Sequence, residues 1–254
     1  MSMKPPLYLS VVIPSYNEAK NFERGVLTEV FDYLKRANFS WEVILIDDGS
    51  EDKTPKLLSN FVRAHKGFRL VRGKHGGKFK AVSKGVQEAN GEIILFSDFD
   101  QSTPISEFEK LKKAFDGGAD VAIGNRVAGE RINDPLFRYL RSRFFNILVQ
   151  LLILPGISDT QCGFKAFKGG IGKKLFSALL VARGTHVKGG FMGGFDVELL
   201  YLAKKQGYKI KSVPIKWIYK ESGRLTIWEP TQMFFDILKI RIYDFSGKYK
   251  HAEN

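Results

Sequence analysis

The chain has 254 residues, of which 44% are hydrophobic and 26% charged, with 3 Trp, 9 Tyr and 21 Phe. That length suits one or two domains, and the composition excludes wholesale disorder while leaving enough apolar residues for a large core. Forty Lys and Arg against 27 Asp and Glu give a net charge of +13, divided as +2 over residues 1–127 and +11 over residues 128–254. The second half therefore predicts an anionic partner: nucleic acid, membrane lipid or a phosphorylated substrate. A solvated, lysine-rich surface is the plainer alternative.

The first half alternates strand and helix. Residues 7–14 (LYLSVVIP) form a β-branched run closed by Pro14, and Asn17 is the expected N-cap of a helix with apolar positions Phe22, Val26, Val30, Tyr33 and Leu34. Residues 41–47 (WEVILID) predict a second buried strand, stopped by Asp48-Gly49-Ser50. A helix over about 53–64, a short strand at 68–71 and a helix over about 78–89 come next. Strands at 92–97 (EIILFS) and 119–124 (ADVAIG) follow, with a helix led by Pro104 between them. This rhythm predicts right-handed crossovers and a mostly parallel sheet.

Beyond Arg126 the rhythm changes. Residues 135–154 (PLFRYLRSRFFNILVQLLIL) predict an apolar helix with a polar stripe at 138, 142, 146 and 150 and a leading arginine cluster. Such a helix suits burial at a membrane interface, and a core helix is the alternative. Residues 233–245 predict a second amphipathic helix, with Phe234, Ile237, Leu238, Ile242 and Phe245 on one face. Cys162 is the only cysteine, so no internal disulfide forms and a reducing compartment is expected. His65, His75, His186 and His251 show no zinc spacing, and neither a signal peptide nor a spanning segment is apparent.

In an open parallel sheet ligands bind beyond the carboxyl ends of the strands. Ser15-Tyr16-Asn17-Glu18, Asp47-Asp48-Gly49-Ser50 and Asp98-Phe99-Asp100 occupy those ends. Three acidic groups on one edge repel unless a cation or a ligand neutralises them, and Asp98 and Asp100 have the spacing to share Mg2+ or Mn2+; a solvated N-cap turn is the alternative. The loop Gly73-Lys74-His75-Gly76-Gly77-Lys78 opens a helix and can turn its backbone N–H groups and Lys78 toward phosphate, or be a plain basic turn. It lacks the Gly-Lys-Ser/Thr of the Walker pattern, which argues against a P-loop nucleoside triphosphatase.

The segments VVIPSYNE, VILIDDGSEDKT, HGGKFKAV, ILFSDFDQSTP, VAIGNR, DTQCGFKAF, FDVELL and VPIKW, in that order over about residues 7–225, resemble the family 2 glycosyltransferases of GT-A fold. More narrowly the chain resembles the polyprenyl-phosphate branch, the dolichyl-phosphate glucosyl- and mannosyltransferases. The mannosyl enzymes typically read Asp-Ala-Asp-Leu-Gln and carry an Arg after VPIK; Phe99, Ser102 and Trp217 stand at those positions here, closer to the glucosyl type.

The resemblance implies an α/β, Rossmann-like, mostly parallel GT-A fold with amphipathic interface helices. The transferase domain would span residues 1–225, and 226–254 would form a C-terminal helix and tail. It implies that Pro14, Tyr16, Glu18, Asp47 and Asp48 hold the nucleotide, that Asp98 and Asp100 bind metal and diphosphate, and that Arg126 and Arg143 meet phosphate groups. Lys78 adds a phosphate contact, and Asp159, Gln161 and Lys165 lie in a motif closing over donor sugar and acceptor.

The expected reaction moves a sugar, glucose from a UDP-sugar, to dolichyl or polyprenyl phosphate with inversion. The expected position is peripheral, on the cytoplasmic face of a membrane. Two alternatives stay open, a GDP-mannose donor and a saccharide hydroxyl acceptor. The latter needs a carboxylate base, for which Asp196 and Glu198 are candidates, Glu198 pairing with a Lys or Arg if it is not the base. Nucleic acid is not an expected partner, because no RNP, KH or helix-turn-helix pattern is present.

Overall fold

The structure, a computed structural model, describes residues 6–184, 194–220 and 229–250. His186, His251 and the end of the C-terminal tail lie outside the described residues.

Aliphatic runs build the first strands, and helices cross between them: β1 (Leu9–Ser15), α1 (Ala19–Glu23), α2 (Val26–Lys35), β2 (Trp41–Asp47), α3 (Thr54–Ala64), β3 (Phe68–Arg72), α4 (Lys78–Glu88) and β4 (Ile93–Ser97). The chain continues through α5 (Phe108–Asp116), β5 (Val121–Ile132), α6 (Leu136–Leu152), β6 (Phe164–Lys168), α7 (Gly169–Ala178) and α8 (Val181–Gly184). It closes with α9 (Phe195–Lys205), β7 (Ile210–Ile218) and α10 (Glu229–Phe245). The seven strands form one sheet in the order β3-β2-β1-β4-β6-β5-β7, with β6 antiparallel to both neighbours and every other pairing parallel.

Strand β1 is hydrogen-bonded on both sides, Val12 aligning with Ile44 of β2 and with Phe96 of β4. Side chains alternate across the strand, so Val12, Ile44 and Ile46 join one core with α4, α7 and α9, while Val11, Ile13, Val43 and Leu45 join the other with α2, α3 and α5. A sheet covered on both faces explains why these strands read as continuous apolar runs. Because the chain winds to opposite sides of β1, a crevice opens at the carboxyl ends of β1 and β4.

Four sequence expectations change. The helix expected from Asn17 onward is two, because Gly25 takes a left-handed φ of 80° and restarts the chain as the N-cap of α2. Asn17 does not cap either one: its Oδ1 accepts from the backbone N–H of Glu51 at 2.9 Å, so a turn distant in sequence takes the side chain. The strand expected to stop at Gly124 runs to Ile132, pairing with β7 across an irregularity between Asn125 and Glu130. The apparent break in rhythm after Arg126 conceals β6, which enters the sheet against the direction of its neighbours.

The polar stripe of α6 faces inward. Asn146 is buried, whereas Phe137 is 80%, Phe144 73% and Leu151 79% exposed. On α10 the expected apolar face divides: Ile237 enters the core with Ile240, because α9 packs there, whereas Phe234, Leu238, Ile242 and Phe245 are exposed, as is Phe235. The two helices meet where Arg241 Nε donates to the Leu152 carbonyl at 3.0 Å.

Candidate active site

The carboxyl ends of β4 and β7 and the middle of β5 converge on a cavity of about 180 Å³. One wall is acidic: Asp98 and Asp100 follow β4, and the antiparallel entry of β6 brings Gly163 against them, its carbonyl accepting from Asp98 N at 3.1 Å. A Cβ on Gly163 would overlap the Asp98 carboxylate, so any larger residue there would displace it. Asp100 Oδ1 accepts from Ser102 N at 2.8 Å, and Lys220 Nζ donates to the Asp100 carbonyl at 2.6 Å. Burial, then the charge of Asp98, raises the Asp100 pKa.

The other wall is cationic. Lys78, from the start of α4, reaches Asp98 Oδ1 at 2.6 Å. Burial pulls its pKa down, but Asp98, then Asp196, outweigh that and the net shift is upward, so the ammonium stays charged. Arg126 also lines the cavity, and its Nε and Nη2 donate to the two oxygens of Asp159 at 2.8 Å each. Burial opposes both charges of this pair, yet mutual attraction wins: the Arg126 pKa is raised and that of Asp159 lowered. Arg138 of α6 and Trp217 of β7 complete this side. Four cations therefore face two carboxylates, a balance suited to ligands carrying several phosphates.

Two carboxylates whose like charges repel and whose donor atoms are oxygens fit a hard divalent cation. Among the described residues no cluster of three or more His, Cys, Asp or Glu could hold a metal ion, so no third such side chain joins the pair. Burial pushes the Cys162 thiol up to about 11 despite Arg126 nearby, which excludes it as a thiolate nucleophile at neutral pH.

The sequence profile described as glycosyl transferase family 2 matches residues 10–176, more than half of the chain. The chain belongs to glycosyltransferase family 2.

This glycosyltransferase is 34% identical over 265 residues to the dolichyl-phosphate beta-glucosyltransferase of Homo sapiens, covering 97% of this chain and 78% of that protein. It is 31% identical over 255 residues to a dolichyl-phosphate beta-glucosyltransferase of Trichomonas vaginalis, covering 96% and 76%. Glucosyl-3-phosphoglycerate synthase from Mycobacterium tuberculosis, solved with Mn2+, UDP and glucosyl-3-phosphoglycerate, matches with a TM-score of 0.65 at 17% identity, covering 92% of this chain and 80% of that one. That likeness shows the fold, which is GT-A.

Of the residues singled out from sequence, Lys78, Asp98, Asp100, Arg126 and Gln161 line the cavity of the transferase together. Tyr16, Glu18, Asp47 and Asp48 gather at the neighbouring ends of β1 and β2, beside Pro14. There Tyr16 stacks on His75 at 4.1 Å, Glu18 Oε2 accepts from Asn21 at 2.6 Å, and Asp47 Oδ1 accepts from Ser50 N at 3.2 Å. Asp48 accepts from Gly76 N at 2.9 Å and Gly77 N at 2.8 Å, so these two N–H groups of the glycine-lysine loop meet the protein's own carboxylate and are not turned toward phosphate. Arg143 is half-buried on α6 and is not among the lining residues.

Asp196 and Glu198 are spent elsewhere. Asp196 Oδ1 meets the fully buried Lys165 Nζ at 2.6 Å. Glu198 has neither of its expected roles: it accepts from the backbone N–H groups of Leu180, Val181 and Ala182 at 2.8–2.9 Å and from Tyr249 Oη at 2.8 Å. Sequence reasoning missed Arg138 and Lys220 as site residues, and read Trp217 only as a mark of the branch. The leading arginine cluster of α6 was the one signal for Arg138.

Proposed function

We propose that this transferase moves glucose from UDP-glucose to the phosphate of a dolichyl-type polyprenyl phosphate, with inversion, while docked on a membrane surface. One observation carries the reading: Arg138, which lines the cavity opposite the acidic pair, belongs to the helix whose outer face exposes Phe137, Phe144 and Leu151. A phosphorylated lipid needs both features, cations for its headgroup and an apolar surface at the membrane that holds its chain. The names of the relatives, dolichyl-phosphate beta-glucosyltransferases, agree with this acceptor.

The chemistry follows from the charges. A phosphate monoester has a second pKa of about 6, so its oxygen is ionised near neutral pH and needs no base. Asp196, paired with Lys165, and Glu198, with four donors, are consistent with that. Arg126 and Arg138 bring the acceptor oxygen to the sugar C1; the C1–O bond to UDP breaks and its electron pair leaves on the diphosphate. Asp98 and Asp100 would hold Mg2+ or Mn2+, and a cation bound there supplies Lewis-acid stabilisation of the departing diphosphate. Lys78 meets the same charge from the start of α4. Pro14, Tyr16, Glu18 and Asp47 hold the base and ribose, Gln161 frames the sugar from the cavity wall, and Asp159 holds Arg126 in position.

Incubating the enzyme with UDP-glucose, UDP-N-acetylglucosamine or GDP-mannose and polyprenyl phosphate, with and without Mn2+, tests this. The expected result is metal-dependent transfer from UDP-glucose. Transfer to free saccharides with none to polyprenyl phosphate would overturn it.

A further inference from the structure

Trp217 is only 6% exposed, yet guanidinium groups from three positions gather on its ring: Arg126 at 5.7 Å from the centroid, Arg131 at 5.4 Å and Arg138 at 5.4 Å. Their carboxylate partners are unequally shared. Asp159 occupies the Nε–Nη2 edge of Arg126 at 2.8 Å. Asp134 meets Arg131 Nη2 at 2.5 Å but Arg138 only through Nε at 3.9 Å. The buried Nη1 of Arg138 has no hydrogen-bond partner.

Two aromatic faces hold Arg138 in place, Trp217 and Tyr219, the latter at 5.0 Å. The distinction matters physically. A carboxylate occupies the planar N–H edge of a guanidinium, whereas an aromatic ring takes its π face and leaves that edge free for an incoming oxyanion. Arg131 has unpartnered N–H groups as well, but it does not line the cavity, and Arg138 does.

We infer that Trp217 is a positioning residue, whose ring presents Arg138 beside Arg126 as a paired site for a monophosphate, so that seating α6 on β7 completes the acceptor side of the cavity. This rests on the acceptor reading above and adds the residue that builds the acceptor site. The monophosphate can come from a lipid headgroup or from free phosphate, and the test separates the two.

Calorimetric titration with a short-chain prenyl monophosphate and with inorganic phosphate is applied to wild type, Trp217→Phe, Trp217→Leu, Arg138→Gln and the double variant Trp217→Leu/Arg138→Gln. Steady-state transfer is measured alongside. Trp217→Leu and Arg138→Gln are each expected to weaken both phosphates about tenfold while KM for UDP-glucose stays within about twofold. The double variant should be no weaker than either single change, because Asp159 still anchors Arg126 and both changes act on the phosphate through Arg138. Trp217→Phe, which keeps an aromatic face, should regain most of the loss. If Trp217→Leu does not fold, Trp217→Met, which keeps bulk without an aromatic face, takes its place in the comparison.

Additive losses, a Trp217→Phe variant as weak as Trp217→Leu, or a rise in donor KM in place of acceptor affinity would make Trp217 a packing residue and overturn the inference. So would loss confined to the prenyl ester, or a wild type that binds neither phosphate. If the binding pattern holds but no lipid is glucosylated, the acceptor reading fails and the positioning role stands. If polyprenyl phosphate is glucosylated equally by wild type and variants, the positioning role fails and the acceptor reading stands.

Discussion

Asp236 of α10 is buried beside Gly194, where a Cβ would come within 2.5 Å of its carboxylate. Its Oδ1 has no hydrogen-bond partner, and burial pushes its pKa up to about 6, Lys239 opposing and Glu198 adding to the shift. A folded-state pKa above the ordinary carboxyl value means that the folded protein holds the proton more tightly than the unfolded chain. Stability therefore falls as pH rises from about 4 to about 6 and levels off above. Asp236→Asn removes that cost and should raise the unfolding free energy at pH 7 by on the order of 1–3 kcal/mol, the gain vanishing near pH 4. Denaturant unfolding across this range checks it; an equal gain at both ends would rule out a titration origin.

Glu198 shows why single residues resist reading. A glutamate on an apolar helix suggests a base or an ion pair, and neither is found, because three backbone N–H groups of residues 180–182 converge on it from elsewhere in the chain. Asp48 is a parallel case: the Asp-Asp pair was visible, but its attachment to Gly76 and Gly77 depends on β2 and the start of α4 lying side by side.

Among the elements, α6 carries the clearest consequence. Its exposed apolar residues recur at Phe137, Leu140, Phe144, Ile147 and Leu151, a stripe along one face, while Phe145, Asn146 and Val149 pack inward. Periodicity separated a polar stripe from an apolar face, and packing turns the stripe inward and leaves the apolar face exposed. Arg138 and Asn146 sit on the inner side because Trp217 and Tyr219 of the β7 region receive the arginine there. Phe144→Glu and Leu151→Glu should each leave unfolding free energy within about 0.5 kcal/mol of wild type. Each should lower vesicle affinity about tenfold or more, the order expected from losing one buried aromatic or aliphatic side chain. Co-sedimentation with lipid vesicles measures this, and unchanged binding would remove α6 from the proposed docking surface.

At the scale of the whole molecule, the surplus charge of +11 in the second half accompanies the two helices with exposed apolar faces. Docking through both terms predicts two salt responses. Binding to phosphatidylserine vesicles should weaken markedly between about 0.1 and 0.5 M NaCl as charge is screened, while binding to neutral vesicles changes little. Salt-independent binding to both would leave the apolar faces as the sole contribution. No helix among the described residues is long and apolar enough to cross a membrane.

The sequence by itself determined the alternating first half, its parallel strands and the acidic groups at their carboxyl ends, because those depend on short-range periodicity and on the few residues that terminate a strand. It also carried the family, since eight segments in one order were legible together. Only the tertiary structure decided which charges are free. Antiparallel β6, the outward turn of α6 and the arginines gathered on Trp217 all arise from pairings between residues far apart in the chain. The carboxylates of Asp48, Asp196 and Glu198 find their partners across such distances, and desolvation penalises a buried carboxylate left without one, as the raised pKa of Asp236 shows. Local sequence records that a carboxylate is present, and packing determines whether it is left for a ligand.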